Sequence, residues 1–169
     1  MWNSNLKVKA VLFAIIVQIA FLSAPSMAQK ESVIVPMHSI HPKPIVKATL
    51  NGKTAYFLLD TGSDINIVNS LGAGEYDFAL HKVNYSNRGS IATVNGIERD
   101  FSHAYNIHMM IGGKPIHCGF VSMDISSIIK SIRKKTGISI AGIIGSDTMK
   151  SYHFIIDYEN EVIAMKLEK

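Results

Sequence analysis

Asp60-Thr61-Gly62-Ser63 follows the apolar run Tyr56-Phe57-Leu58-Leu59 and precedes Ile65-Asn66-Ile67-Val68. An acid at the end of an apolar strand, on a turn of small residues, works against folding stability. Its ionised form must be paired or hydrogen-bonded to be tolerated there. Such a carboxylate can act as a general base on water if a second carboxyl a few ångströms away shares one proton with it. Like charges that close cannot both ionise. The ionised member then activates the water while the protonated one polarises a carbonyl oxygen, which is a route to peptide hydrolysis with no covalent intermediate. Gly62 lets two backbones approach closely. Thr61 can hydrogen-bond across to an opposite turn, and Ser63 can donate to the outer oxygen of Asp60. The chain holds one Asp-Thr-Gly, because Asp147-Thr148-Met149 lacks the glycine.

The elements that must position this turn read mainly as strands. Ile45 to Leu50 and Lys53 to Leu59 flank Asn51-Gly52, a hairpin signal, since both turn positions need positive φ. The second arm delivers Asp60 to its end, and Ile65-Asn66-Ile67-Val68 leaves the turn as a further strand. From Asn69 to Ser90 the chain is poorly periodic and reads as loop, with a short helical turn around Ala79-Leu80. Ser90 to Val94 and Ile97 to His103 flank a second Asn-Gly pair, Asn95-Gly96. Tyr105 to Ile111 and Pro115 to Val121 flank Gly112-Gly113. Then the period changes. Ile125, Ile128, Ile129 and Ile132 fall at helical spacing over Ser126 to Lys135, with Asp124 or Ser126 as cap and Gly137 as terminator. The basic residues Lys130, Arg133, Lys134 and Lys135 suit the C-terminal end of that helix dipole. Ile138 to Ile144 is an apolar run ending at Gly145, Ser146 to Tyr152 reads as a short helix, and Phe154 to Asp157 pairs with Glu161 to Leu167. The expected fold is all-β with one or two short helices.

Taken alone, Asp-Thr-Gly reads as a surface turn, because Asp and Gly are ordinary turn residues. The second element alters that reading: Ala141-Gly142-Ile143-Ile144-Gly145-Ser146-Asp147, followed by Ile155-Ile156-Asp157-Tyr158. Together the two motifs resemble the retropepsin-like aspartic proteases (clan AA), of a bacterial secreted or periplasmic type, from Ile45 to Leu167. The resemblance implies a closed β-barrel or sandwich in which an apolar strand ending in glycine packs beside the strand carrying the catalytic turn. It implies Asp60 as the catalytic aspartate, with Thr61 and Gly62 completing the turn. Ser63 and Asp64 then stand at substrate-contacting positions. A flap over the substrate falls between Tyr85 and His103, with Asn95-Gly96 at its tip. Two departures stand out. Retroviral members carry Gly-Arg-Asn/Asp where this chain has Gly145-Ser146-Asp147, and the segment between the motifs is longer, with an added helix near Ser126. With one Asp-Thr-Gly, a two-lobed monomer is excluded, so a dyad needs Asp60 from two chains in a homodimer with an isologous interface. The rival function is a non-catalytic peptide-binding protein of the cell envelope with the same fold.

The ends and the composition set the remaining bounds. Lys7 and Lys9, the apolar Ala10 to Leu22, and Ser26-Met27-Ala28 read as a signal peptide over 1–28, cleaved before Gln29. The apolar stretch is shorter than the roughly 20 residues a spanning helix needs, and Pro25 closes it. The expected organisation is a leader at 1–28, an N-terminal linker at 29–44 and one protease-like domain at 45–169, secreted or periplasmic and free of the membrane after cleavage. The leader carries two lysines and no acid, so its removal lowers the formal charge of the 169-residue chain from +4 to +2. That balance gives no support for nucleic-acid binding. Cys118 is the only cysteine, in an apolar context, and reads as a structural thiol. His38, His41, His103 and His108 have no metal-ligand spacing, so no metal or cofactor is expected.

Overall fold

A computed structural model describes residues 31–38, 43–82, 91–93, 96–98 and 100–167. The leader at 1–28 and Asn95 lie outside the described residues. The first strand, β1 (Glu31–Pro36), corrects the reading of 29–44 as linker. Val33 and Val35 alternate inward to the core, which gives this short stretch a buried face. It pairs antiparallel with β14 (Val162–Leu167), which also pairs with β13 (Ile155–Asp157), making a three-stranded sheet.

The Asn51-Gly52 hairpin joins β2 (Ile45–Leu50) to β3 (Lys53–Asp60), with φ of 49° and 80° at its two turn residues. That left-handed pair matches the twist of the flanking strands. After β4 (Ile67–Asn69), a 3-10 turn at Ser70–Gly72 leads into a one-turn helix, α1 (Ala73–Tyr76). The helical turn expected at Ala79-Leu80 is therefore misplaced. Those residues begin β5 (Ala79–Lys82), which pairs with β8 (Ser102–Tyr105), and long-range pairing overrides local preference there. β6 (Ile91–Thr93) and β7 (Gly96–Glu98) pair antiparallel with Thr93 opposite Gly96. The hairpin therefore closes between those two residues and Gly96 belongs to the strand, which corrects the expected turn at Asn95-Gly96 by one position. β9 (Met109–Ile111) and β10 (Lys114–Ile116) flank Gly112-Gly113, both at positive φ. β11 (Phe120–Met123) precedes α2 (Ser126–Thr136), and β12 (Gly142–Gly145) precedes α3 (Ser146–Ser151).

Nine of these strands form one sheet in the order β10-β9-β2-β3-β12-β4-β11-β8-β5. The order is linear, with β10 and β5 at its ends. The closed barrel implied by the family resemblance is therefore not formed by strand pairing among the described residues. At the sheet's centre, β12 inserts between the consecutive strands β3 and β4, parallel to the first and antiparallel to the second.

The two central strands are buried on both faces, which explains their unbroken apolar runs. Phe57 and Leu59 of β3 and Ile144 of β12 enter the larger core cluster. Leu58 and Ile143 enter a second cluster with Ile125 and Ile132 beside α2. Neither expected cap, Asp124 or Ser126, holds the N-cap position of α2, which is Ile125. The Asp124 carboxylate, one residue earlier, accepts the Ser126 N–H at 2.8 Å. Gly137 ends the helix at φ 75°, its N–H bonding the Arg133 carbonyl.

Candidate active site

Asp60 ends β3, directly opposite Gly145 in the parallel register with β12. The chain then turns. The Ser63 N–H donates to the Asp60 carbonyl at 3.1 Å, and the Gly62 N–H donates to Asp60 Oδ1 at 3.0 Å. Asp60 is half-buried, while Thr61, Gly62 and Asp64 are exposed. Among the described residues, no donor reaches Asp60 Oδ2. The expected bond from Ser63 to the carboxylate is not made. Its hydroxyl donates to the Ile65 carbonyl at 2.8 Å, because the turn folds that oxygen back towards it.

Two glycines allow the strands to approach as they do. A Cβ on Gly145 would collide with the backbone of Ile65, and one on Gly142 would collide with the Ile67 carbonyl and the Phe57 ring. Glycine is required there by space, not by φ. Beneath the turn, the second element is fastened to the first. Ser146 N–H donates to the Ser63 carbonyl at 2.7 Å, and Asp147 N–H to the Asp64 carbonyl at 3.3 Å. Ser146 Oγ donates to Asp64 Oδ1 at 3.3 Å, at the position where retroviral members carry arginine.

Sequence reasoning missed Asn66. It is buried, and its side chain makes three bonds: Oδ1 accepts the Gly145 N–H at 3.0 Å, while Nδ2 donates to the Gly119 carbonyl at 2.9 Å and to Thr148 Oγ1 at 2.8 Å. One side chain thereby ties β12, α3 and the chain before β11 to the segment that leaves the turn. The available signal was an amide inside the apolar run Ile65-Asn66-Ile67-Val68. A buried polar group there must find partners.

The other expected site residues are placed less completely. Gly96 opens β7, paired with Thr93, and Asn95 is outside the described residues. Cys118 is half-buried against the larger core. Burial pushes its thiol up to about 11, and a hydrogen bond with Thr148 offsets part of that rise. Among the described residues no group of three His, Cys, Asp or Glu side chains converges to hold a metal ion.

No family model matches the chain, and no curated protein matches it. Solved structures do. A retropepsin-like aspartic protease from Rickettsia conorii is 14% identical, over 82% of this chain and 94% of its own, with a TM-score of 0.49. EIAV protease, complexed with the inhibitor HBY-793, is 17% identical over 67% of this chain and 90% of its own, with a TM-score of 0.44. The retroviral protease-like domain of Ddi1 from Leishmania major is 17% identical over 76% of this chain and 96% of its own, with a TM-score of 0.43. Identities this low and TM-scores under 0.5 assign nothing by themselves, and the chain's own turn and strand order are what bear on its function.

Proposed function

We propose that this chain is a retropepsin-like aspartic endopeptidase, active as a homodimer in which Asp60 of each copy shares one proton. The observation that carries this reading is the half-used carboxylate of Asp60. Its Oδ1 is held by the turn, no donor among the described residues reaches its Oδ2, and the turn itself is exposed. Around it, Gly145, Asn66 and Ser146 fix the backbone. An acid held in place with one oxygen unsatisfied is suited to meet a second such acid across a two-fold axis.

In that arrangement the ionised Asp60 takes a proton from a bound water. The water oxygen adds to the scissile carbonyl carbon as the protonated Asp60 of the other copy donates to the carbonyl oxygen. The neutral gem-diol then breaks its C–N bond as the amide nitrogen takes the proton that the first Asp60 drew from water. In the same step a gem-diol hydroxyl returns its proton to the Asp60 of the other copy, so the dyad is again singly protonated. In this reading Asp64, exposed beside the turn, contacts substrate backbone, and the hairpin carrying Asn95-Gly96 serves as the flap, as the family resemblance implies. The enzyme acts outside the cytoplasm, after removal of residues 1–28. N-terminal sequencing of the protein recovered from its host is expected to begin at Gln29.

The test is cleavage of an unfolded polypeptide at acidic to neutral pH, with particle mass followed by light scattering. Cleavage should be lost in Asp60→Asn, should fall with statine-type inhibitors, and should rise with the dimer fraction. A protein that stays monomeric at micromolar concentration and shows no Asp60-dependent cleavage would instead be the non-catalytic peptide binder.

A further inference from the structure

Asp60 also lines a cavity of about 340 Å³. The cavity's floor is apolar, made by Leu58, Ile132 and Ile143, all buried. Beside the Asp60 carboxylate and the partly exposed Ile128, the rest of its wall is polar and cationic. Ser127 and Ser131 come from one face of α2, Lys135 from its last turn, and Lys43 from the chain just before β2. Both lysines are exposed, and no carboxylate among the described residues pairs with either one. The dipole of α2 accounts for cations in its last turn. It does not account for one of them, together with a lysine remote in sequence, standing on the wall that holds Asp60.

We propose that this cavity is a specificity subsite for an acidic side chain next to the bond that is cut, with Lys43 and Lys135 as the groups that select it. The inference rests on Asp60 being the catalytic acid, which fixes the cavity beside the scissile bond. A glutamate fits the chemistry of the wall. Its methylenes cover Leu58 and Ile143, and its carboxylate reaches the two ammonium groups at the rim, with the hydroxyls of Ser127 and Ser131 as further donors. A lysine or arginine in the same place would bring a like charge to two cations. Leucine would fill the floor and leave both ammonium groups to water, so it is the closer competitor.

The experiment separates this inference from the catalytic reading by measuring binding as well as cleavage. The full chain carrying Asp60→Asn is immobilised and offered a random peptide library, and retained peptides are sequenced. The same is done on that background with Lys43→Glu plus Lys135→Glu, and with Lys166→Glu as a charge control remote in sequence. Acidic residues should be enriched on the Asp60→Asn protein and on the Lys166 control. The double lysine variant should lower that enrichment by roughly fivefold, the scale of two solvent-facing ion pairs. With Asp60 intact, the cut sites should show the same acidic excess on one side of the bond, inverted to a basic excess by the double variant. Acidic enrichment without any cleavage keeps the subsite and sinks the protease. Cleavage or capture with no acidic excess, an excess that the double variant leaves unchanged, or no capture at all overturns the subsite.

Discussion

Two aspartates end strands among the described residues, Asp60 on β3 and Asp157 on β13, and their turns use them differently. Asp157 is consumed by its own turn. Oδ1 accepts the Asn160 N–H at 2.9 Å and Oδ2 accepts Asn160 Nδ2 at 2.8 Å. Asp60 gives only Oδ1 to its turn, through Gly62, and the restraint on that backbone comes from elsewhere: Asn66, Ser146 and the close approach allowed by Gly145. An acid that holds a turn together spends both oxygens on it. An acid whose turn is held by other groups keeps an oxygen for a ligand, a water or a second acid. That difference is the physical content of calling one aspartate structural and the other a half-site.

Substituting the two acids in the same way is the most direct way to break the comparison. Asp60→Asn keeps an oxygen to accept the Gly62 N–H, so its unfolding free energy should stay within about 0.5 kcal/mol of the parent. The Asp60-dependent cleavage should fall by roughly 10²- to 10⁴-fold, the usual contribution of a positioned acid or base. A large fall in melting temperature would make Asp60 a structural residue after all. Next come the groups that restrain its turn. Gly145→Ala forces a Cβ into the Ile65 backbone and is expected to cost about 3 kcal/mol in denaturant unfolding, the upper end for overpacking, since backbone cannot step aside as a side chain can. Asn66→Leu removes three bonds, taking the amide partner from the Gly145 N–H and the Gly119 carbonyl and leaving the Thr148 hydroxyl only its bond with Cys118, and is expected to cost on the order of 3 kcal/mol. Stability unchanged in either variant would mean that the Asp60 turn is not held from beneath.

What was legible in the sequence was local. Asn51-Gly52 and Gly112-Gly113 place positive φ where a two-residue hairpin needs it, and Gly137 stops α2 for the same reason. That the Gly145 strand packs beside the Asp60 turn was an expectation of the family resemblance, and the register puts Gly145 opposite Asp60. What was missed depends on partners far along the chain. Val33 and Val35 gain a meaning as β1 only through β14, so the segment reads as linker by itself. Ala79 to Lys82 are all exposed, and pairing with β8 alone makes them a strand. Asn66 reads as a polar interruption until Gly145 and Thr148 are brought to it. Lys43 and Lys135 share a cavity only after β2 and α2 are packed, which no spacing rule foretells.

The smallest expected effect sharpens the comparison from the other side. Hydrogen bonds from the Asn160 side chain, and then from its backbone, hold the Asp157 carboxyl below its ordinary value of 3.8. A group whose folded value is depressed adds stability above its unfolded value, and that stability is lost as pH falls through the folded one. Asp157→Asn should therefore lower the melting temperature by a constant, small amount from neutral pH down to about pH 5. The gap should then narrow below the ordinary carboxylate value, as the parent takes up its proton. Asp124 is depressed in the same direction by Ser126, but it is present in both proteins and cancels in the difference. Cleavage by the variant should match the parent at every pH where both are folded. A gap that stays constant into strong acid would mean that the Asn160 bonds do not favour the charged form. Asp157 would then be no more committed to its turn than Asp60 is to its own.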